Sequence, residues 1–191
     1  MLGLKLVFSN HDLIKFTRIL GSNKLTMTFK QKRIRLGVVL IPALLFCLSL
    51  TQSAFIYEYQ GKQMPSSTSI FLMGGFAILG GGGLEWLTWL ANPIAIVSCI
   101  RFLKETNPQI KIEPILRIPI PNPKPISQWL SLIAAAIAWS FSFWNEILAA
   151  ENGSTGQILG FEYGYWLWVS SLTALSISVN IYHFYLGKVS A

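Results

Sequence analysis

The chain has 191 residues, of which 52% are hydrophobic and only 12% are charged. Soluble domains carry about 25% charged residues, so this composition excludes a large soluble domain and indicates a protein with several membrane spans. The net charge is +7, but the basic residues cluster beside the apolar runs, which favours orientation in a membrane over nucleic-acid binding.

The apolar runs predict an all-α integral membrane protein with four transmembrane helices. The predicted spans are residues 36–57, 70–103, 128–150 and 163–186. They form one transmembrane domain over residues 36–186, which lies between a basic arm (1–35) and a short cytoplasmic tail (187–191).

The arm contains a segment from Asn10 to Leu20 that could form a short helix with Leu13 and Phe16 on one face. A basic helix of this kind is typical of a segment that lies on anionic lipid. The same residues also suit an unstructured tail. Because Met27 opens a more usual start, residues 1–26 could also be an upstream extension.

The second span lies in the longest apolar run, Ile70 to Leu103. Its 34 residues would extend about 50 Å as a helix, whereas the hydrocarbon core is about 30 Å thick. We therefore expect a long element that is bent or broken at the glycine run, with Pro93 as a second candidate break. The residues of this predicted helix break and close-packing point are Gly80, Gly81, Gly82, Gly83 and Pro93.

Six of the nine prolines lie in residues 104–126, which we call the strap. Proline at this density excludes regular helix and predicts an extended chain. Isoleucine recurs at even spacing, so one side of that chain would be apolar. We expect the strap to pack on the cytoplasmic face of the bundle or on a partner, although a disordered linker also fits the composition.

Small residues recur every four positions in the last two spans. They are Ala134, Ala138 and Ser142 in the third span, and Ser170, Ala174 and Ser178 in the fourth. This spacing lets helix backbones approach closely in a membrane.

The Lys and Arg residues alternate between rich and poor segments along the chain. The arm has eight, the first loop one, the second loop five, the third loop none and the tail one. By the positive-inside rule both termini should be cytoplasmic.

A polar stripe is predicted on the second span. Glu85, Thr88 and Asn92 lie at positions i, i+3 and i+7, on one face of a helix. A carboxylate, a hydroxyl and an amide beside a helix break could coordinate a cation or a proton. Alternatively, Glu85 lies at a helix N-terminus near the outer interface and has a structural role.

The fourth span carries a second polar stripe that includes Asn180 and His183. We expect Asn180 to lie well inside the span and to form an interhelical hydrogen bond. His183 could act as a lone ligand for a pigment or haem. Because the other histidine, His11, lies in the arm, a bis-histidine haem inside the membrane is not available.

The sequence shows no catalytic constellation, metal-ligand spacing or phosphate-binding loop, so we predict neither an enzyme nor a metal site. No cofactor is predicted, and the composition does not identify a bound lipid or pigment. We expect a scaffold or accessory subunit of a larger membrane complex, whose partners are other membrane subunits. The alternatives are a small oligomeric transporter or channel using Glu85 and Asn92, and a regulator that binds anionic lipid.

Overall fold

The computed structural model describes residues 29–107, 125–150 and 153–189. These residues are mostly helical. The helices are α1 (Phe29–Leu50), α2 (Ser67–Met73), α3 (Gly83–Trp89), α4 (Ala91–Glu105), α5 (Ile126–Ser140) and α6 (Tyr163–Val189), with 3₁₀ turns at Gly74–Gly80 and Phe141–Phe143. The strands are β1 (Phe55–Glu58), β2 (Lys62–Gln63), β3 (Glu146–Leu148) and β4 (Thr155–Phe161). The expected helix in the arm and most of the strap lie outside the described residues.

The prediction of a helical protein is confirmed, but its all-α form is not, because the four strands form one antiparallel sheet in the order β2-β1-β4-β3. In its centre Phe55 pairs with Phe161, and at one edge Glu146 pairs with Gln157. The sheet closes one end of the helices, which we call the sheet end.

The strands replace the ends of two predicted spans. Helix α1 ends at Leu50 rather than near Tyr57, and α5 ends at Ser140 rather than near Ala150. The segments that follow are apolar and aromatic, so they resemble continuations of a span. The pairing of β1 with β4 joins residues about 100 positions apart, and local periodicity does not contain that information.

Three segments are helices long and apolar enough to cross a membrane: residues 31–50, 83–105 and 126–143. The predicted fourth span corresponds to α6, which has 27 residues. This helix is not among the three segments.

Helix α6 lies between α1 and α5, and α5 packs on α4. Its inward residues Val169, Leu172, Leu175 and Val179 are at most 4% exposed. Away from the sheet, Glu105 at the end of α4, Ser127 at the start of α5 and His183 near the end of α6 lie together. Successive helices α4, α5 and α6 therefore alternate in direction. We call the end where these three residues lie the Glu105 end.

The long apolar run from Ile70 to Leu103 is divided into separate elements. After α2 and the 3₁₀ turn, Gly81 has a φ of +87°, which favours glycine, and α3 begins at Gly83. A second interruption falls at Leu90, between α3 and α4. Pro93 has no backbone N–H for the carbonyl of Trp89, which accounts for a local break.

Candidate functional site

A cavity of about 120 Å³ lies at the sheet end, and we call it the aromatic cavity. Helices α1, α2, α3, α4 and α6 surround it, together with residues of the sheet. Glu85, Thr88 and Asn92 all line it. Of the four residues that the sequence offers as candidates for an intramembrane polar site, Glu85, Thr88, Asn92 and Asn180, the structure therefore brings the first three together.

Glu85 ties α3 to the sheet. Its Oε1 accepts a hydrogen bond of 2.8 Å from the backbone N–H of Leu148 in β3. Its other oxygen, Oε2, lies close to Gly82. A Cβ added at Gly82 would be 3.1 Å from this oxygen. The carboxylate is half-buried and accepts from a strand N–H, which is a structural contact at a position for which the sequence left a cation site and a structural role as alternatives.

Asn92 ties α4 to α6. Its side chain is buried, and Oδ1 accepts a hydrogen bond of 2.8 Å from Nε1 of Trp168. Trp89 makes a similar contact, since its Nε1 donates to the carbonyl of Phe71 over 2.8 Å. The indole N–H groups beside the cavity are thus occupied, and the rings present mainly apolar surface to it.

Ser67 is a cavity residue that the sequence did not single out. Its hydroxyl oxygen is buried and has no hydrogen-bond partner, and it lies against the Cα of Gly164 in α6. The residue before it, Ser66, caps α2 by accepting from the backbone N–H of Ser69. The burial of the Ser67 hydroxyl depends on contact with a helix about 100 residues away in the chain.

Asn180 and His183 do not join the aromatic cavity. The Nδ2 of Asn180 donates to the carbonyl of Ser176 over 2.8 Å, within its own helix. Within the part of the chain that the structure describes, this local hydrogen bond takes the place of the expected interhelical one.

His183 belongs to a polar cluster at the Glu105 end. Its Nε2 is 3.1 Å from Oγ of Ser127 and 3.7 Å from Oε2 of Glu105, and the Ser127 hydroxyl donates to Glu105. Both partners face the same ring nitrogen, whereas a catalytic triad places its acid on the opposite nitrogen. Ser127 is also fully buried. The cluster joins three helices, and Glu105 and Ser127 were not singled out from the sequence.

Among the described residues no group of three or more His, Cys, Asp or Glu side chains could hold a metal ion. Comparisons with protein-family models, curated proteins and solved structures give no match for this chain.

Proposed function

We propose that the chain is a membrane-embedded scaffold or accessory subunit of a larger membrane complex. One observation carries the proposal. The polar side chains that could perform chemistry are instead hydrogen-bonded to other groups of the same chain. Glu85 accepts a hydrogen bond from a strand N–H, and Asn92 accepts one from an indole N–H. Ser127 contacts both Glu105 and His183. These contacts stabilise one arrangement of the helices. A scaffold or accessory subunit needs such a fixed arrangement to present a constant surface to other subunits.

The proposed arrangement in the membrane has four crossings with both termini in the cytoplasm. Three helices have the length and apolarity to span, and α6 is about 40 Å long at 1.5 Å per residue. Alternate connections are rich and poor in Lys and Arg, with five basic residues between 101 and 124 and none between 151 and 161. The Glu105 end would face the cytoplasm, and the sheet would cover the opposite side.

A surface on α6 suits contact with a partner helix. Ala134 and Ala138 of α5 are fully buried, so their small side chains serve packing inside this chain. On α6, by contrast, Ser170 is exposed and both Ala174 and Ser178 are half-buried. Small residues four apart on an outer helix face allow a second transmembrane helix to approach closely.

The test compares full-length tagged chains purified from their native membrane in mild detergent. Ser170→Leu should reduce co-purification of a stoichiometric membrane subunit, because the larger side chain separates the helix backbones. Ala136→Leu is the matched control, since Ala136 is an exposed small residue on α5. Trimming residues 108–125 of the strap should also weaken the complex if the strap packs on the partner. A chain that runs as a free monomer, or one that loses partners equally in both leucine variants, would contradict the proposal.

The second candidate function is a small oligomeric transporter or channel. It is favoured by the convergence of Glu85, Thr88 and Asn92 on one cavity. The chain reconstituted in proteoliposomes should then conduct cations or protons, and Glu85→Gln should abolish the flux without changing assembly. Absence of flux in the unsubstituted chain would remove this candidate.

A further inference from the structure

We propose that the aromatic cavity and the Glu85 carboxylate form a binding site for an amphiphilic organic cation, in which an ammonium group is attached to an apolar aromatic body. The ammonium group lies beside Glu85, and the apolar body enters the cavity. The proposal concerns binding and needs no transport, so it stands apart from both functions proposed above.

Glu85 lies where three pockets of the sheet end adjoin. Besides the aromatic cavity there are two shallower clefts. The first cleft shares Ile70, Gly74 and Glu85 with the cavity, and the second shares Glu85 and Ile147 with it. Among the described residues, Glu85 alone lines all three. Because the cavity is partly open, a ligand can place its apolar body inside and its charged group at the carboxylate.

The charges around these pockets select a cation. Within the part of the chain that the structure describes, no Lys or Arg lines the cavity or either cleft. A second acid, Glu146, lines the second cleft. A pocket lined by one sign of charge and low-dielectric walls attracts ligands of the opposite sign. The site therefore favours a positively charged group, although the chain as a whole has a net charge of +7.

The carboxylate of Glu85 can bind this group without releasing the sheet. The hydrogen bond from the Leu148 N–H is made to Oε1, whereas Oε2 lies close to Gly82. An ionised carboxylate has about four lone-pair sites, and a hydrogen bond from a neutral N–H leaves its negative charge in place. The structural contact and the ligand contact are therefore compatible.

The walls of the cavity favour an organic cation over a metal ion. Aromatic side chains from four helices line it, among them Phe46, Phe71, Trp89 and Trp168. The face of an aromatic ring attracts cations, and quaternary ammonium groups are recognised in this way. A metal ion such as Ca²⁺ instead requires six to eight oxygen ligands. Glu85, Thr88 and Asn92 supply too few oxygens for that purpose.

Phospholipid headgroups such as phosphocholine also contain an ammonium group, but they suit this site less well than a free cation. Each such headgroup carries a phosphate next to its ammonium group. With no Lys or Arg among the described lining residues, the phosphate would lie near Glu85 without a basic partner. Repulsion between the phosphate and the carboxylate opposes binding. We therefore assign the site to a free organic cation.

The experiment compares three probes on the full chain purified in dodecyl maltoside, a detergent without charge. Benzyltrimethylammonium carries both the charge and the ring. Neopentylbenzene is its neutral isostere, since carbon replaces the nitrogen, and tetramethylammonium lacks the ring. Saturation-transfer NMR measures binding, with the signal of empty micelles subtracted. We expect saturable binding of benzyltrimethylammonium that is roughly tenfold tighter than that of either other probe, because each lacks one of the two interactions.

One variant and one matched control test the carboxylate. Glu85→Gln retains an acceptor for the Leu148 N–H but removes the charge. Its affinity for benzyltrimethylammonium should fall roughly tenfold, while binding of neopentylbenzene is retained and reports an intact cavity. Glu58→Gln is the control, because Glu58 is an exposed acid of β1 that lines none of the three pockets. It should bind all three probes as the unsubstituted chain does.

Four results would overturn the proposal. The first is no saturable binding of benzyltrimethylammonium, and the second is equal affinity for this probe and neopentylbenzene. The third is a Glu85→Gln variant that either keeps full affinity for the cation or loses both probes, since loss of both would assign Glu85 to the fold alone. The fourth is displacement of the bound cation by equimolar phosphatidylcholine, which would assign the site to a lipid headgroup.

Discussion

The carboxylate of Glu105 accepts a hydrogen bond from the hydroxyl of Ser127, although 22 positions separate the two residues in the chain. The contact joins the C-terminus of α4 to the N-terminus of α5. A second contact supports the same junction, since Ser98 Oγ donates to the backbone carbonyl of Ser127 over 2.9 Å. Whatever path the strap takes, its two ends are therefore held together.

Ser127→Ala should destabilise the folded chain. The substitution leaves a largely buried carboxylate without its hydroxyl donor, and such a loss costs about 1–3 kcal/mol. The free energy of unfolding in mild detergent measures the effect. Ser140→Ala is the matched control, because the hydroxyl of the exposed Ser140 donates to the carbonyl of Ile137 in its own helix. Equal stability of the two variants would contradict a structural role for the Glu105–Ser127 contact.

Substitutions of Glu85 should separate a structural role from a transport role. Glu85→Gln retains an oxygen that can accept from Leu148 N–H, so the sheet should remain attached to α3. Glu85→Ala removes the acceptor and should cost about 1–3 kcal/mol. Hydrogen exchange at the Leu148 amide should accelerate in Glu85→Ala and change little in Glu85→Gln. Slow exchange in both variants would mean that this contact does not hold the strand.

Asn92 and Trp168 should behave as an energetically coupled pair. Asn92→Ala removes the acceptor of the indole N–H, and Trp168→Phe removes the donor. Because either change breaks the same hydrogen bond, the double variant should lose less stability than the sum of the single variants, with a coupling energy of about 0.5–3 kcal/mol. Strict additivity in chemical denaturation would show that the hydrogen bond contributes no net stability.

Gly81→Ala should be more destabilising than Gly80→Ala. The φ of Gly81 is +87°, and open space surrounds it, so the cost arises from backbone strain and not from a clash. A non-glycine residue in the left-handed region costs about 1–3 kcal/mol. Gly80 has open space but no positive φ. Thermal unfolding of the two variants should differ accordingly, and identical midpoints would exclude strain at Gly81.

Part of the polar site was predictable from the sequence. Glu85, Thr88 and Asn92 share a helix face by spacing alone, and they do line one cavity. Their partners were not predictable, because the Leu148 N–H and the Trp168 indole lie 63 and 76 positions away. Contacts at that separation depend on how the helices pack, which a local pattern does not specify.

The sequence by itself determined the helical class and the presence of long apolar helices, because apolar run length and low charge are local properties. It also indicated a weak point in the glycine run, where backbone freedom is greatest. The tertiary structure alone decided the sheet, the aromatic cavity with Ser67, and the junction of Glu105, Ser127 and His183. Each of these joins residues distant in the chain, and only packing of the helices brings them within hydrogen-bonding distance or van der Waals contact.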